Sequence, residues 1–348
     1  MRPLRFSHSS IVDRKVSEAI ARLNVAYVPL TELPAFITTP GLYPMAVCAF
    51  GRGLTQPVSC PLISPDLPQI GGLPLAEVWF SDIPVQIERV DHCVSAMNGE
   101  CVIMSISLTE QAGKPLDDTT YQGYSQALRQ LHNLGYPYLW RAWNYFPRIN
   151  GSENGLERYR RFCVGRHQAM VETFFEFPGS LPAATAVGTR SGPLQLILLA
   201  GSQSAQHFGN PRQLNAYEYP REYGPRSPSF ARATICRSET EGLLFIAGTA
   251  SVVGHTSRHI GLPYEQARET IQNLRTLFSH VREIGGAEWL VGQPRSMYKV
   301  YLRNPDLLPE VSRALEGSPL ADQPVLFLQG ELCRKDLLVE MEALLFSD

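Results

Sequence analysis

No CxxC pair occurs in this sequence. Its seven cysteines (Cys48, Cys60, Cys93, Cys101, Cys163, Cys236 and Cys333) are odd in number and widely spaced. That argues against a disulfide framework and a zinc knuckle, and it fits a reducing cytoplasm. No apolar run approaches the roughly 18 residues that a membrane span needs. The opening MRPLRFSHSSIVDRK has no apolar core of the signal-peptide kind. A basic excess is missing too: 31 Lys and Arg stand against 33 Asp and Glu, a net charge of −2. Nucleic-acid readers usually carry that excess, so no nucleic acid is expected as partner. The turns GRGLTQ and GTASVVG have neither P-loop nor dinucleotide spacing. His255 and His259 in GHTSRH stand four apart, yet no acidic or cysteine partner falls in register, so no metal site is expected.

What is present is a pattern that occurs twice. A chain of 348 residues can hold two or three domains. The first 80 or so residues are rich in Pro and Gly and read as short strands and loops. GECVIMSISL (99–108) then reads as a strand. TYQGYSQALRQLHNLG reads as a helix, with Tyr124, Leu128, Leu131 and Leu134 at helical spacing. YPYLWRAWNYF is a strand. NGLERYRRFCVGRHQAMVETFF is a second helix through Leu156, Tyr159, Phe162, Cys163 and His167. LPAATAVGTRSGPLQLILLAG makes two strands joined by a turn. EGLLFIAGTASVVG reopens the pattern. A helix follows, striped by Ala267, Ile271, Leu274, Phe278 and Val281 and stopped by Gly285-Gly286. RSMYKVYLRN is a strand and PDLLPEVSRALEG a helix. QPVLFLQGELCRKDLLVEMEALL closes with two strands. The fold class expected is α+β, with a strand-rich extension at 1–84 and similar domains at 85–220 and 221–348.

The last strand raises the question of function. Period two places Leu337, Val339, Met341 and Ala343 on one side and Leu338, Glu340 and Glu342 on the other. Two carboxylates on one face suit either a solvated sheet face or an acid set in a cleft.

Residues 226 to 346 resemble the RidA/YjgF family through GPRSPSFARA, LFIAGTAS and RKDLLVEMEA. The first copy resembles it more weakly, through LPAATAVG and LQLILLAG. The resemblance implies mixed sheets with helices packed on one face. The arginine with which that family's deaminases hold a carboxylate is absent from Pro324-Val325-Leu326-Phe327 and from Pro182-Ala183-Ala184-Thr185. Most of the chain is similar to the chorismatases, on WRAWNYFPRIN, GLERYRRFCVGR, NPRQLNAYEYP, YGPRSPSFARA, GTASVVGH and CRKDLLVEMEA. That resemblance implies a cytoplasmic enzyme, a monomer or small homo-oligomer, that splits the dicarboxylate chorismate to pyruvate with no metal or cofactor. Products in the family are a dihydroxycyclohexadiene, 3-hydroxybenzoate, or 3- and 4-hydroxybenzoate together. The last branch feeds xanthomonadin and ubiquinone synthesis.

Such a reaction needs a protonated acid at an enol ether and donors for two carboxylates. Glu340 matches the family's final-strand acid, with Glu342 as its internal rival. Its counterpart in the first copy falls near the apolar Ile197. Gly248 and Cys333 match positions that differ between product branches; on the residues alone, Cys333 reads as a core cysteine. Donor candidates are Tyr159, Arg166, Arg212, Tyr217 and Arg226, with Glu331 as a further polar group and Arg148, Arg232 and Arg303 in reserve. Arg161 is expected to face solvent. A hydrolytic chorismatase and a non-catalytic small-carboxylate-binding protein remain as rivals, and the role of residues 1–84 stays open.

Overall fold

The computed structural model describes residues 22–51, 54, 58–174, 176–237, 242–287, 294–318 and 320–347. The opening segment and most of GRGLTQ lie outside them. Strand β1 (Leu23–Pro29), helix α1 (Leu33–Ile37) and strands β2 (Tyr43–Ala49), β3 (Leu62–Ile63) and β4 (Leu75–Ser81) come first. The four strands form one sheet, in the order β1-β4-β2-β3. Next come β5 (Gln86–Val90), β6 (Cys93–Met97), β7 (Cys101–Leu108), α2 (Leu116–Asn133) and β8 (Tyr138–Pro147). A small hairpin of β9 (Ser152–Glu153) and β10 (Leu156–Glu157) leads to α3 (Arg158–Thr173), then β11 (Ala183–Thr189) and β12 (Leu194–Gly201). Leu156, expected in the helix, thus stands in the hairpin before it.

The second unit holds β13 (Gln206–Phe208), β14 (Ala233–Arg237) and β15 (Gly242–Ala250). It continues through the short pair β16 (Val252–Val253) and β17 (Thr256–Ser257), then α4 (Pro263–Gly285) and β18 (Arg295–Leu302). It ends with α5 (Leu308–Leu315), β19 (Val325–Gln329) and β20 (Val339–Phe346). Helix α4 stops as the Gly-Gly pair requires, with Gly286 in the left-handed region at φ 61°.

The two large sheets have the same order, β11-β8-β12-β7-β6-β5 and β19-β18-β20-β15-β14-β13. In each, one edge pair is parallel (β8 with β11, β18 with β19) and the other pairings are antiparallel. Strand β13 pairs with β14 although it precedes residue 220, so the second sheet begins earlier than the composition suggested. Helices α2 and α3 cover one face of the first sheet, and α4 and α5 one face of the second.

The other faces meet in a shared core walled by all three sheets. Met45 and Trp79 come from the N-terminal sheet, Trp143 and Ile197 from the first large sheet, and Phe245 and Tyr301 from the second. Residues 22–81 are therefore the third wall of the core. Both faces of β20 are buried: Val339, Met341, Ala343 and Leu345 pack toward the helices, while Leu344 and Phe346 enter the shared core. Glu340 and Glu342 lie on that core-facing side, 4% and 3% exposed, so the solvated-face reading is wrong for them.

Helix α3 packs directly on α2 because Gly165 presents no side chain. A Cβ there would fall 2.2 Å from the Asp117 carbonyl oxygen and 2.9 Å from the Tyr121 nitrogen. Both are backbone atoms that cannot turn aside. Gly165→Ala is expected to destabilise the protein by about 1–3 kcal/mol, although alanine is the better helix former. A urea midpoint that rises in this variant would contradict the close approach.

Candidate active site

A cavity of about 350 Å³ opens between the two units. Glu157, Tyr159 and Arg160 line it from the start of α3. Tyr219, Tyr223 and Phe230 come from the segment joining the units. Gly248 and Glu340 come from the second sheet, Arg232 from just before β14, and Cys333 to Leu337 from the loop before β20. Glu340 is placed there by strand register: it lies opposite Tyr301 on β18 and Ala250 on β15. Strand β15 is irregular between Ile246 and Thr249, and Gly248 sits within that bulge. A Cβ on Gly248 would lie 2.1 Å from Glu340 Oε1, so the acid occupies the space that the missing side chain leaves. The Gly248 N–H donates to Thr185 Oγ1 at 2.9 Å, which ties the bulge to β11 of the first unit.

Electrostatics separate the two carboxylates. Burial raises the pKa of Glu340, the neighbouring Glu342 reinforces it, and Arg232, Arg141 and Arg303 oppose it; the result is about 8. Glu340 therefore holds a proton at neutral pH. Burial would raise Glu342 as well, but Lys299 and Arg141 outweigh it and hold that carboxyl below its ordinary range. Arg141 Nη2 meets Glu342 Oε2 at 2.8 Å, and Lys299 Nζ meets Oε1 at 2.9 Å. The Trp143 indole N–H also donates to Oε1, at 2.9 Å. Lys299 bridges on to Glu77 Oε2 at 2.8 Å, and Trp79 caps that carboxylate. Cys333 stays a neutral thiol, pushed up to about 12 by burial and by Glu340.

Of the residues singled out from sequence, Glu340, Gly248, Cys333 and Tyr159 come together around the cavity. The others stand elsewhere. Arg212 pairs with Glu269 at 2.6 Å and donates to Asn273 at 2.7 Å, which fixes the joining segment on α4. Arg226 is exposed. Tyr217 packs against the core of the first unit. Arg166 is 1% exposed, lies 4.8 Å from the Phe162 ring centroid and 6.0 Å from that of Phe230, and is not among the lining residues, although its buried Nε and Nη2 have no protein partner. Glu331 exchanges backbone hydrogen bonds with Gly188 and is not among the lining residues. Among the reserves, Arg148 is exposed, and Arg303 braces the loop before β20 through Leu337 and Arg334 carbonyls. Arg161 does not face solvent: it donates to Asp117 at 3.0 Å and to the Glu153 carbonyl at 2.8 Å.

Arg232, held only in reserve, lines the cavity. Its Nη2 donates to Tyr219 at 2.7 Å, and its buried Nε has no protein partner. Sequence reading missed Arg334, although it lies in the quoted CRKDLLVEMEA. Its guanidinium stacks 4.3 Å from the Tyr223 ring centroid and donates to the His255 carbonyl at 2.8 Å. Matching the sheets strand for strand also moves the counterpart of the acid. Gln195 lies opposite Tyr145 as Glu340 lies opposite Tyr301, and the two tyrosine hydroxyls meet at 3.3 Å. Ile197 stands two residues on, in the place of Glu342.

His255 and His259 are engaged separately, with Tyr223 and with Glu269, each at 3.1 Å. Among the described residues, no group of three or more His, Cys, Asp or Glu gathers that could hold a metal ion. No helix there is long and apolar enough to cross a membrane.

Two predictions follow from this geometry. Gly248→Ala should lower the unfolding midpoint strongly in the native background and much less in a Glu340→Ala background, because the clash is with that carboxyl. Equal losses in both backgrounds would place the clash elsewhere. The raised Glu340 means that, between the ordinary carboxylate range and about pH 8, the folded state binds more protons than the unfolded state. Its contribution to stability therefore falls as pH rises through that window and levels off above it. Glu340→Gln should gain on the native protein in thermal midpoint from pH 5 to pH 8.5. A constant difference would mean that Glu340 is ionised in the fold.

Comparison with known proteins agrees with this architecture. The family model described as "Chorismatase FkbO/Hyg5-like, N-terminal" matches residues 77–200. A 3-hydroxybenzoate synthase from Streptomyces hygroscopicus is 34% identical over 279 residues, 77% of this chain and 81% of that protein. A chorismatase from the same organism is 34% identical over 272 residues, 77% of this chain and 78% of its own length. A chorismatase crystal structure superposes with a TM-score of 0.82 at 28% identity, over 93% of this chain and 98% of the other. Sharing sequence and fold over most of its length with these proteins, the chain belongs to the chorismatase family.

Proposed function

We propose that the protein converts chorismate to 3-hydroxybenzoate and pyruvate, with 4-hydroxybenzoate as a second product, as in the branch that serves xanthomonadin and ubiquinone synthesis. The observation that carries this reading is a deeply buried carboxyl, Glu340, pushed toward its protonated form in the wall of a cavity with arginine donors. Glu340 gives its proton to the terminal methylene carbon of the enolpyruvyl ether. The ether becomes an oxocarbenium ion, which weakens the bond between its oxygen and ring carbon C3. As pyruvate leaves, the neighbouring C4 hydroxyl oxygen attacks C3 and returns its proton to the Glu340 carboxylate, and opening of the C4–O bond with loss of the C4 proton gives 3-hydroxybenzoate; direct loss of the C4 proton as pyruvate leaves gives 4-hydroxybenzoate. Chorismate has the same atoms as hydroxybenzoate and pyruvate together, so the overall change calls for neither oxidant nor reductant.

The two substrate carboxylates need fixed cationic donors. Arg232, with its unpartnered Nε, and Arg334, held over the Tyr223 ring, are assigned that role. Tyr159 supplies a hydroxyl from the first unit. Gly248 and Cys333 keep the wall beside the acid small and weakly polar, which favours aromatisation over capture by water. The hydrolytic reading keeps the same acid and differs only in that water attacks.

Incubating the EDTA-treated protein with chorismate should yield pyruvate and an equal amount of hydroxybenzoate, resolved by chromatography and mass. Glu340→Gln should lower kcat by about 10²–10⁴-fold with little change in KM. Pyruvate accompanied by a dihydroxycyclohexadiene would favour hydrolysis. No pyruvate above background would overturn the enzymatic reading.

A further inference from the structure

Two carboxylates stand on the same face of β20, roughly 6.5 Å apart along the strand, and only one of them reaches the cavity. Glu342 is clamped by Arg141 and Lys299, and Lys299 is shared with Glu77. Two carboxylates and two cations make a set of zero net charge. All four are at most 5% exposed, so solvent screens them little. Among the described residues no ion pair forms on Glu340 itself. We propose that Arg141, Lys299 and Glu77 act through Glu342 as a proton-sorting device: they fix the negative charge on Glu342, so that the proton of the pair resides on Glu340, where the substrate lies.

The proposal rests on Glu340 being the acid of the reaction. It makes Arg141, Lys299, Glu77 and Glu342 positioning residues, because none of them lines the cavity. The charged and titratable groups that act most strongly on Glu340 enter the balance, with Arg334, Lys335 and Asp336 around the same cavity and Tyr301 opposite it on β18. Glu342 lies on its own strand, Arg141 on β8, Arg232 just before β14, Arg303 just after β18 and Cys333 in the loop before β20. Thr185 couples the two sites, since its Oγ1 accepts from both Arg141 and the Gly248 N–H that borders the acid. The Arg141 clamp crosses from one unit to the other, so the first unit, which carries no acid of its own at Gln195, holds the second unit's acid in its working form.

The test is the titration of Glu340 in the free protein, followed by nuclear magnetic resonance of 13C-labelled glutamate and assigned by loss of the signal in Glu340→Gln. Glu342→Gln removes a negative neighbour and leaves two cations against Glu77 alone. The midpoint should fall by about one to three pH units. Arg141→Met removes the cation that pairs with Glu342 at 2.8 Å, so it should raise the midpoint of Glu342 more than that of Glu340 and draw the two titrations together, and Arg141→Lys should restore their separation. The alkaline limb of kcat with chorismate should move with each midpoint, so that Glu342→Gln retains activity at low pH and loses it near pH 8. Unmoved midpoints in the folded variants would overturn the proposal, as would loss of activity equal at every pH. Midpoints that shift while the rate profile stays in place would remove Glu340 as the acid and overturn the proposal, while the turnover of chorismate itself would stand.

Discussion

The structure depends on a buried line of charge, Glu77–Lys299–Glu342–Arg141, that joins one residue of the N-terminal sheet, two of the second large sheet and one of the first. Burying four charges is expensive, and removing one partner from such a set typically costs about 3–5 kcal/mol. The arrangement holds because every charge has an opposite neighbour, and because Trp79, Trp143 and Thr185 each add a hydrogen bond to it. Lys299 Nζ also lies 5.1 Å from the Trp143 ring centroid, and the Arg141 guanidinium lies 4.7 Å from it, so the aromatic core wall faces both cations. Around this line the three sheets close on one another.

Balance within the line explains the acid beside it. Glu340 has the burial of Glu342 without its cations, and the charge next door discourages a second ionisation. The same sequence spacing therefore yields one carboxyl held as an anion and one that is pushed toward its protonated form. Only the neighbours supplied by β8 and β18 distinguish them.

Much of the fold was legible because its elements are amphipathic with clear periods. Helices α2, α3 and α4 lie where Tyr124, Phe162 and Leu274 recur, and β20 alternates from Val339 to Ala343. Alternation shows that Glu340 and Glu342 share a face, yet it says nothing about what that face meets. A strand buried on both sides and one with a wet side can carry the same pattern when the buried polar face is paired. The arginines were the least legible part. Arg212 and Arg232 lie in one short stretch of sequence, yet one turns back to Glu269 and the other enters the cavity. Their roles are set by contacts with α4 and Tyr219, which no local spacing encodes. Arg161 was misjudged for the same reason: its partners sit on α2 and the β9–β10 hairpin.

Strand β20 follows, in sequence, everything it touches. Its neighbours β15 and β18 come before it, and Glu77 and Arg141 were laid down far earlier. As the chain emerges during synthesis, the first unit can form its sheet and helices while the guanidinium of Arg141 still lacks its carboxylate. The last strand then enters the middle of a sheet whose flanks already exist, and with one insertion it completes the second core, closes the three-walled core and creates the acid. Contacts this distant in sequence are made late and slowly. A chain still short of β20 thus has most of the residues that wall the cavity and lacks the buried carboxyl of Glu340.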